Sequence, residues 1–236
     1  MNSSFLDRLV VVQEQISDAA HKAARTPSDV RLLAASKTRL PEEVDEAVRA
    51  GLTLFGENRI QEAKQKIPLC SSAAEWHFIG HLQTNKVRDA VAFFSTIQTV
   101  DSLRLAEEIG NECGRQNKSL DILLEVNVSG ERSKFGISPD QLPSLLEKVN
   151  AMTRLRVCGF MTMAPFAPEP EKARPFFAAL RECRDRLQSQ TGLHLPELSM
   201  GMSHDFEAAI KEGSTKVRIG SLLFGERQSA MREGNG

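Results

Sequence analysis

The sequence predicts an α/β fold, a single (β/α)8 barrel with an extra N-terminal helix. Three observations predict it. Short apolar runs recur near residues 32–36, 53–55, 76–80, 96–100, 121–128, 156–162, 197–201 and 216–220. Amphipathic or capped stretches fill the intervals, which gives an alternation of strand and helix. Eight such units in about 200 residues suit a barrel at the small end of its range. A doubly wound open sheet shares the alternation, but no Gly-x-Gly-x-x-Gly turn follows the first strand.

The elements follow in order. Phe5, Leu9, Val12, Ile16 and Ala20 recur at helical spacing and place a helix over about 3–24. The first strand then reads Leu32-Leu33-Ala34-Ala35-Ser36. Pro41 with Glu42 and Glu43 opens the next helix, which carries Val44, Ala47 and Val48 inward and stops at Gly51. Asp101-Ser102 offers caps for another. Ser138-Pro139-Asp140-Gln141 reads as a capping box with proline at the first helical position, ahead of Leu142, Leu145, Leu146 and Val149. A long helix is expected over 170–190. Ser203 is expected to cap the helix that carries Phe206, Ala209 and Ile210. No Pro/Gly/Ser-rich linker divides the chain, so 1–236 reads as one domain, with the barrel over about 30–227. The last residues, Arg232-Glu233-Gly234-Asn235-Gly236, read as a frayed tail.

Composition narrows the class of function. A hydrophobic content of 41%, a charged content of 26% and a net charge of −1 are those of a soluble globular protein. Without a broad basic field, neither nucleic acid nor an acidic membrane is an expected partner. No apolar run approaches the roughly 18 residues of a membrane span. Asp7, Arg8 and Glu14 mix both signs of charge early, unlike a signal peptide. Cys70, Cys113, Cys158 and Cys183 stand far apart, which argues against a zinc or redox motif and fits a reducing cytoplasm. The expected state is a cytoplasmic monomer.

Polar residues collect where strands end, the functional face of such a barrel. Strand one delivers Ser36-Lys37-Thr38, and strand two runs into Gly56-Glu57-Asn58-Arg59. Strand seven ends Ser199-Met200-Gly201-Met202-Ser203, and strand eight ends Arg218-Ile219-Gly220-Ser221. A closed barrel makes the first and last strands neighbours. Leu33, Ala35 and Lys37 share one pleat face of strand one. On strand eight, Val217 and Ile219 suit the helix layer, so Arg218 points inward. A buried cation needs a partner, either an acid such as Glu125 or a ligand acceptor. An amine beside a fixed cation suits Schiff-base chemistry on an anionic aldehyde, for which pyridoxal 5′-phosphate (PLP) is the candidate. The alternative is two surface cations. The loops after strands seven and eight are the usual phosphate site of this fold. Gly201 and Gly220 there allow close backbone approach, and Ser203 at a helix start favours an anion, or is simply an N-cap.

The motifs Phe55-Gly56-Glu57-Asn58-Arg59-Ile60-Gln61-Glu62, Trp76-His77-Phe78-Ile79-Gly80-His81-Leu82-Gln83-Thr84-Asn85-Lys86, Asn127-Val128-Ser129-Gly130-Glu131, Leu198-Ser199-Met200-Gly201-Met202-Ser203 and Val217-Arg218-Ile219-Gly220 carry a resemblance. With Ser36-Lys37-Thr38 they make the chain similar to the pyridoxal phosphate homeostasis protein family, single-domain relatives of the alanine racemase barrel. The resemblance covers residues 32 to about 227. It implies PLP held as an aldimine on Lys37, Arg218 facing the pyridine nitrogen and Asn58 near the cofactor. It implies a phosphate held by Ser199, Gly201, Ser203 and the Gly220-Ser221 turn, with Met200 inside the same binding stretch. It implies PLP buffering and supply to PLP-dependent apo-enzymes rather than turnover. Arg39 stands where some relatives have lysine. Lys134 reads as a solvated loop charge, with a secondary transfer-related lysine as the alternative.

The residues also bear on enzyme against carrier. Racemisation on PLP wants a proton donor on each face of the cofactor. In two-domain alanine racemases lysine serves one face and tyrosine the other. This sequence has no tyrosine. An arginine opposite the ring nitrogen disfavours a protonated pyridinium and leaves a weaker electron sink. The expectation is therefore a carrier with no catalytic residues and no metal. A PLP-dependent racemase or lyase, and a barrel for another phosphorylated metabolite, are the alternatives.

Overall fold

Eight short strands, each followed by a helical segment, close on one another in sequence order. The computed structural model describes residues 4–131 and 133–225. The chain opens with helix α1 (Phe5–Lys22), then β1 (Arg31–Ala35), α2 (Pro41–Arg49), β2 (Leu54–Glu57), α3 (Ile60–Lys66), β3 (Glu75–Phe78) and α4 (Val87–Phe93). It continues with β4 (Thr96–Val100), α5 (Leu103–Arg115), β5 (Leu120–Glu125), α6 (Leu142–Asn150) and β6 (Leu155–Met161). It ends with α7 (Arg174–Thr191), β7 (Glu197–Met202), α8 (Phe206–Lys211), β8 (Lys216–Ile219) and α9 (Ser221–Phe224). All pairings are parallel, and β8 returns to β1 with Leu33 opposite Arg218 and Ala34 opposite Ile219. The expected (β/α)8 barrel is the observed fold. The expected frayed tail lies outside the described residues.

Two layers of packing follow from the pleat. Outward strand residues such as Ala34, Phe55, Phe78, Ile97, Phe160, Leu198, Val217 and Ile219 form one core with the helices. The inward residues Leu123, Cys158 and Met161 make a small separate cluster inside the barrel. Much of the remaining interior is polar: His77, Gln98, Glu125, Ser199 and Arg218 are all buried. Branched apolar residues fill most such barrels. Polar groups placed there cost free energy unless they are hydrogen-bonded, so they mark a site.

Helix boundaries follow local chemistry, with two corrections. The buried stripe of α1 is Phe5, Leu9, Val12, Ile16, Ala19 and Ala20, the spacing expected, and it packs on α8 and α9. Pro41 starts α2, and Gly51 past its end adopts φ +90°, where a side chain would be strained. Ser102 caps α5 by accepting from Leu105 N. The capping box expected at Ser138 does not form. Ser138 Oγ bonds Gln141 Oε1 at 3.1 Å, residues 139–141 make a turn, and α6 starts only at Leu142. The N–H groups of Gln141 and Leu142 donate instead to the backbone oxygen of Ser138, each at 3.1 Å. Nor does Ser203 cap α8. The N-cap is Asp205, whose Oδ1 accepts from Met202 N at 2.7 Å and pins the loop after β7.

Candidate functional site

The C-terminal ends of β1, β7 and β8 surround a cavity of about 350 Å³. That is within the range of about 300–1,000 Å³ typical of small-molecule sites. Its wall carries Lys37, Thr38 and Arg39 from the β1 turn, Met202, Ser203 and His204 from the β7 loop, and Arg218, Gly220 and Ser221 from β8. Three cations, two serine hydroxyls and an imidazole make this a donor-rich wall, suited to an anionic ligand.

The structure brings together five of the expected residues, Lys37, Ser203, Arg218, Gly220 and Ser221. Lys37 is exposed in a tight turn closed by Arg39 N donating to Ser36 O at 3.0 Å. Ser203 Oγ accepts from Gly220 N at 3.3 Å and so ties the β7 loop to the end of β8. A methyl group at Gly220 would stand 3.1 Å from Ala35 O, closing the seam between β8 and β1.

The other four expected residues stand outside the cavity wall. Met200 is buried in the core beneath the helices, which leaves only its backbone for a ligand. Gly201 has φ +91°, and a Cβ there would come within 2.6 Å of Ala209 Cβ. Its lack of a side chain lets β7 run under α8. Ser199 faces inward and holds Arg218 rather than lining the cavity. Asn58 stands outside the lining, with its Oδ1 buried and unpartnered at the end of β2.

Arg218 is 4% exposed. Nη1 donates to Ser199 Oγ at 2.8 Å and Nη2 to Thr162 O at 2.9 Å, both neutral acceptors. The expected alternative, a contact ion pair with Glu125, is not what these bonds make. Glu125 and Asp205 act on the guanidinium only through their fields. Burial pulls its pKa down to about 10, so it is still a cation at neutral pH. Glu125 itself is 2% exposed, with Oε2 unpartnered.

Sequence reasoning missed the residues that orient Arg218. Ser199 Oγ donates to Gln98 Oε1 at 2.6 Å, Gln98 Nε2 to His77 Nδ1 at 2.8 Å, and His77 Nε2 to Glu75 Oε1 at 2.8 Å. Each donor feeds the next acceptor, from the mouth to the carboxylate at the opposite end of the barrel. The chain requires neutral His77 with its proton on Nε2. Burial favours that form by pushing its pKa down. A signal was present, because His77 and Gln98 break apolar strands at inward positions. Pairing them across four strands needs the barrel register.

The competing lysines lie elsewhere. Lys216 is 1% exposed and bonds Glu197 Oε2 at 2.6 Å near the N-terminal end of the barrel. Lys86 sits in a 3₁₀ turn after β3. Lys134 Nζ donates to Ala164 O at 3.3 Å beside a separate cavity.

A parallel barrel with a lysine and a buried arginine at one mouth defines a class. The chain belongs to the alanine racemase N-terminal-domain family, whose family model matches residues 12–228. Within it the chain belongs with the pyridoxal phosphate homeostasis proteins. It is 46% identical to the one of Aquifex aeolicus over 94% of this chain and 98% of that relative. It is 40% identical to the one of Escherichia coli, over 93% of this chain and 95% of that relative. Among solved structures, PipY of Synechococcus elongatus with PLP bound has a TM-score of 0.84 at 34% identity, over 94% of this chain and 100% of PipY. An alanine racemase of Clostridium difficile has a TM-score of 0.74 at 14% identity, over 95% of this chain and 58% of the enzyme, a likeness of fold alone.

Proposed function

We propose that this protein binds PLP at the mouth of its barrel and serves as a PLP carrier and buffer rather than as an enzyme. The observation that carries the reading is one cavity lined by both Lys37 and Arg218, with Ser203, Gly220 and Ser221 on the same wall. The donor set fits the ligand. A primary amine meets an aldehyde, a fixed cation meets a ring nitrogen that accepts, and hydroxyl and backbone groups beside two glycine-bearing turns meet a phosphate. When bound, PLP supplies an electrophilic aldehyde. Lys37 would hold the group covalently through its amine, the nucleophile such an aldehyde takes, with water as the by-product. Asn58 Oδ1, buried without a partner, is available to a donor at the same end of the barrel.

The carrier reading is supported by the relatives' names, which describe homeostasis rather than a reaction. It is supported by a sequence without tyrosine and by an arginine that is cationic at neutral pH. Such an arginine gives the pyridine nitrogen a hydrogen bond but no proton. The four described cysteines are free thiols, which fits the cytoplasmic placement we propose.

Borohydride reduction of the PLP-loaded protein, followed by peptide mass mapping, tests the site. The pyridoxyl adduct is expected on Lys37, and an adduct mainly on another lysine refutes the assignment. Incubation with L-alanine in deuterated water tests the function. The expected outcome is little α-proton exchange. Exchange at ordinary enzyme rates, about 1–10³ per second, would restore the racemase reading.

A further inference from the structure

The turn that carries Lys37 is held from behind by a buried charged cluster that the cofactor reading does not use. Its two flanking peptide groups are both tied to α3. On one side, Ser36 O accepts from Lys66 Nζ at 2.8 Å. On the other, Thr38 N donates to Glu62 Oε1 at 2.5 Å. Lys66 spends its remaining donors on Glu62 Oε1 at 2.7 Å and Glu57 Oε1 at 2.9 Å. Ser36 Oγ also donates to Glu57 Oε1, at 2.6 Å. The side chain of Lys66 is 5% exposed and that of Glu57 is fully buried, while Glu62 reaches the surface at 23%.

Only Lys37 lies between the two tied peptides. The next residue is strained: Thr38 has φ +65°, the left-handed region that a β-branched residue avoids. Such a conformation persists only where its surroundings over-determine it. The bond from Thr38 N to Glu62 and the bond from Lys66 to Ser36 O do so. Glu57 and Ser36 lie on the pleat face opposite Lys37, under α3. The cluster therefore acts on the backbone of the turn and not on the ligand. Its three donors being engaged, Lys66 itself is not a free amine.

We infer that Glu62 and Lys66 are positioning residues for the Lys37 amine, fixing the strained turn so that the amine stands over the cavity. The inference rests on Lys37 being the lysine that condenses with PLP. A double-mutant cycle on the full-length protein tests it, reading PLP dissociation constants and imine absorbance, with circular dichroism for folding. Glu62 is the residue to change, since its partial exposure spares the core. Glu62→Ala is expected to weaken covalent PLP retention by about tenfold, the scale of one charge-assisted hydrogen bond. Glu62→Gln, which keeps an oxygen for Thr38 N, is expected to recover most of the loss. In a Lys37→Ala background, Glu62→Ala is expected to change PLP retention by less than about twofold.

An equal loss in both backgrounds would mean that Glu62 supports the cavity generally, and would overturn the inference. So would a Glu62→Ala protein that folds and forms the covalent link with unchanged affinity. Borohydride mapping of the wild-type protein separates the two levels. An adduct away from Lys37 overturns the site reading and this inference with it. An adduct on Lys37 with a flat cycle overturns the inference alone.

Discussion

Single side chains in this barrel show how burial sets chemistry. Glu125 is the clearest case, because its Oε2 is buried without a hydrogen-bond partner. Its carboxyl pKa is raised from 4.5 to about 7, first by burial and then by the charge of Asp101, against the pull of Arg218. The folded protein therefore keeps a proton that the unfolded chain gives up near pH 4.5. The stability this group allows is whole below pH 4.5 and is lost as pH rises towards about 7. A difference of that size converts to about 3 kcal/mol at most. Glu125→Gln removes the ionisable group while keeping its shape. The ligand-free variant should thus melt several degrees above wild type at pH 8 and nearly level with it at pH 5. An equal gain at both pH values would show that Glu125 is not ionising on the way.

At the scale of elements, what was legible was whatever depends on near neighbours in sequence. The stripe of α1, the proline start of α2 and the Ser102 cap of α5 each need only a few adjacent residues, and each stands where the pattern put it. Strand parity sent Arg218 inward and Lys37 to the mouth because a pleat alternates strictly. At both failed caps the serine hydroxyl has another partner, Gln141 Oε1 in one case and Gly220 N in the other. A cap is a competition among acceptors and donors, and the second contender at Gly220 arrives from another strand. The same limit hid the supports of the site. Lys66 lies 30 residues from Ser36 in the chain, and Ser199 is 101 residues from Gln98. Their charges and polarity were visible, but their partners depended on the register of a closed sheet. At Gly201 the absent side chain also makes room for α8, a neighbour that only the fold supplies.

For the whole molecule, the hydrogen-bonded chain makes the two ends of the barrel one electrostatic unit. It starts at the buried guanidinium of Arg218 and finishes at Glu75, the first residue of β3. Glu75 is held at about 2, chiefly by the bond from His77 and further by Arg31, so it is ionised at any ordinary pH. A permanent cation at one end and a permanent anion at the other polarise every bond between them in the same sense. In a low-dielectric interior such a chain resists reversal, because turning one donor around leaves two groups unpaired. His77 is the link where this can be read directly. Its Nδ1 should stay bare and its Nε2 protonated, and it should become cationic only below the usual histidine range, since burial opposes the charge. Nitrogen-15 NMR of the imidazole between pH 5 and 8 measures both. His77→Phe should cut the chain while filling the space. Ser199 and Gln98 would then reorient, and the tether on Arg218 would slacken. With PLP bound, this should appear as a shift in the cofactor absorbance maximum, in a protein that still folds. A His77 that carries its proton on Nδ1, or a cofactor spectrum indifferent to His77→Phe, would show that Arg218 is held by Thr162 and Ser199 alone.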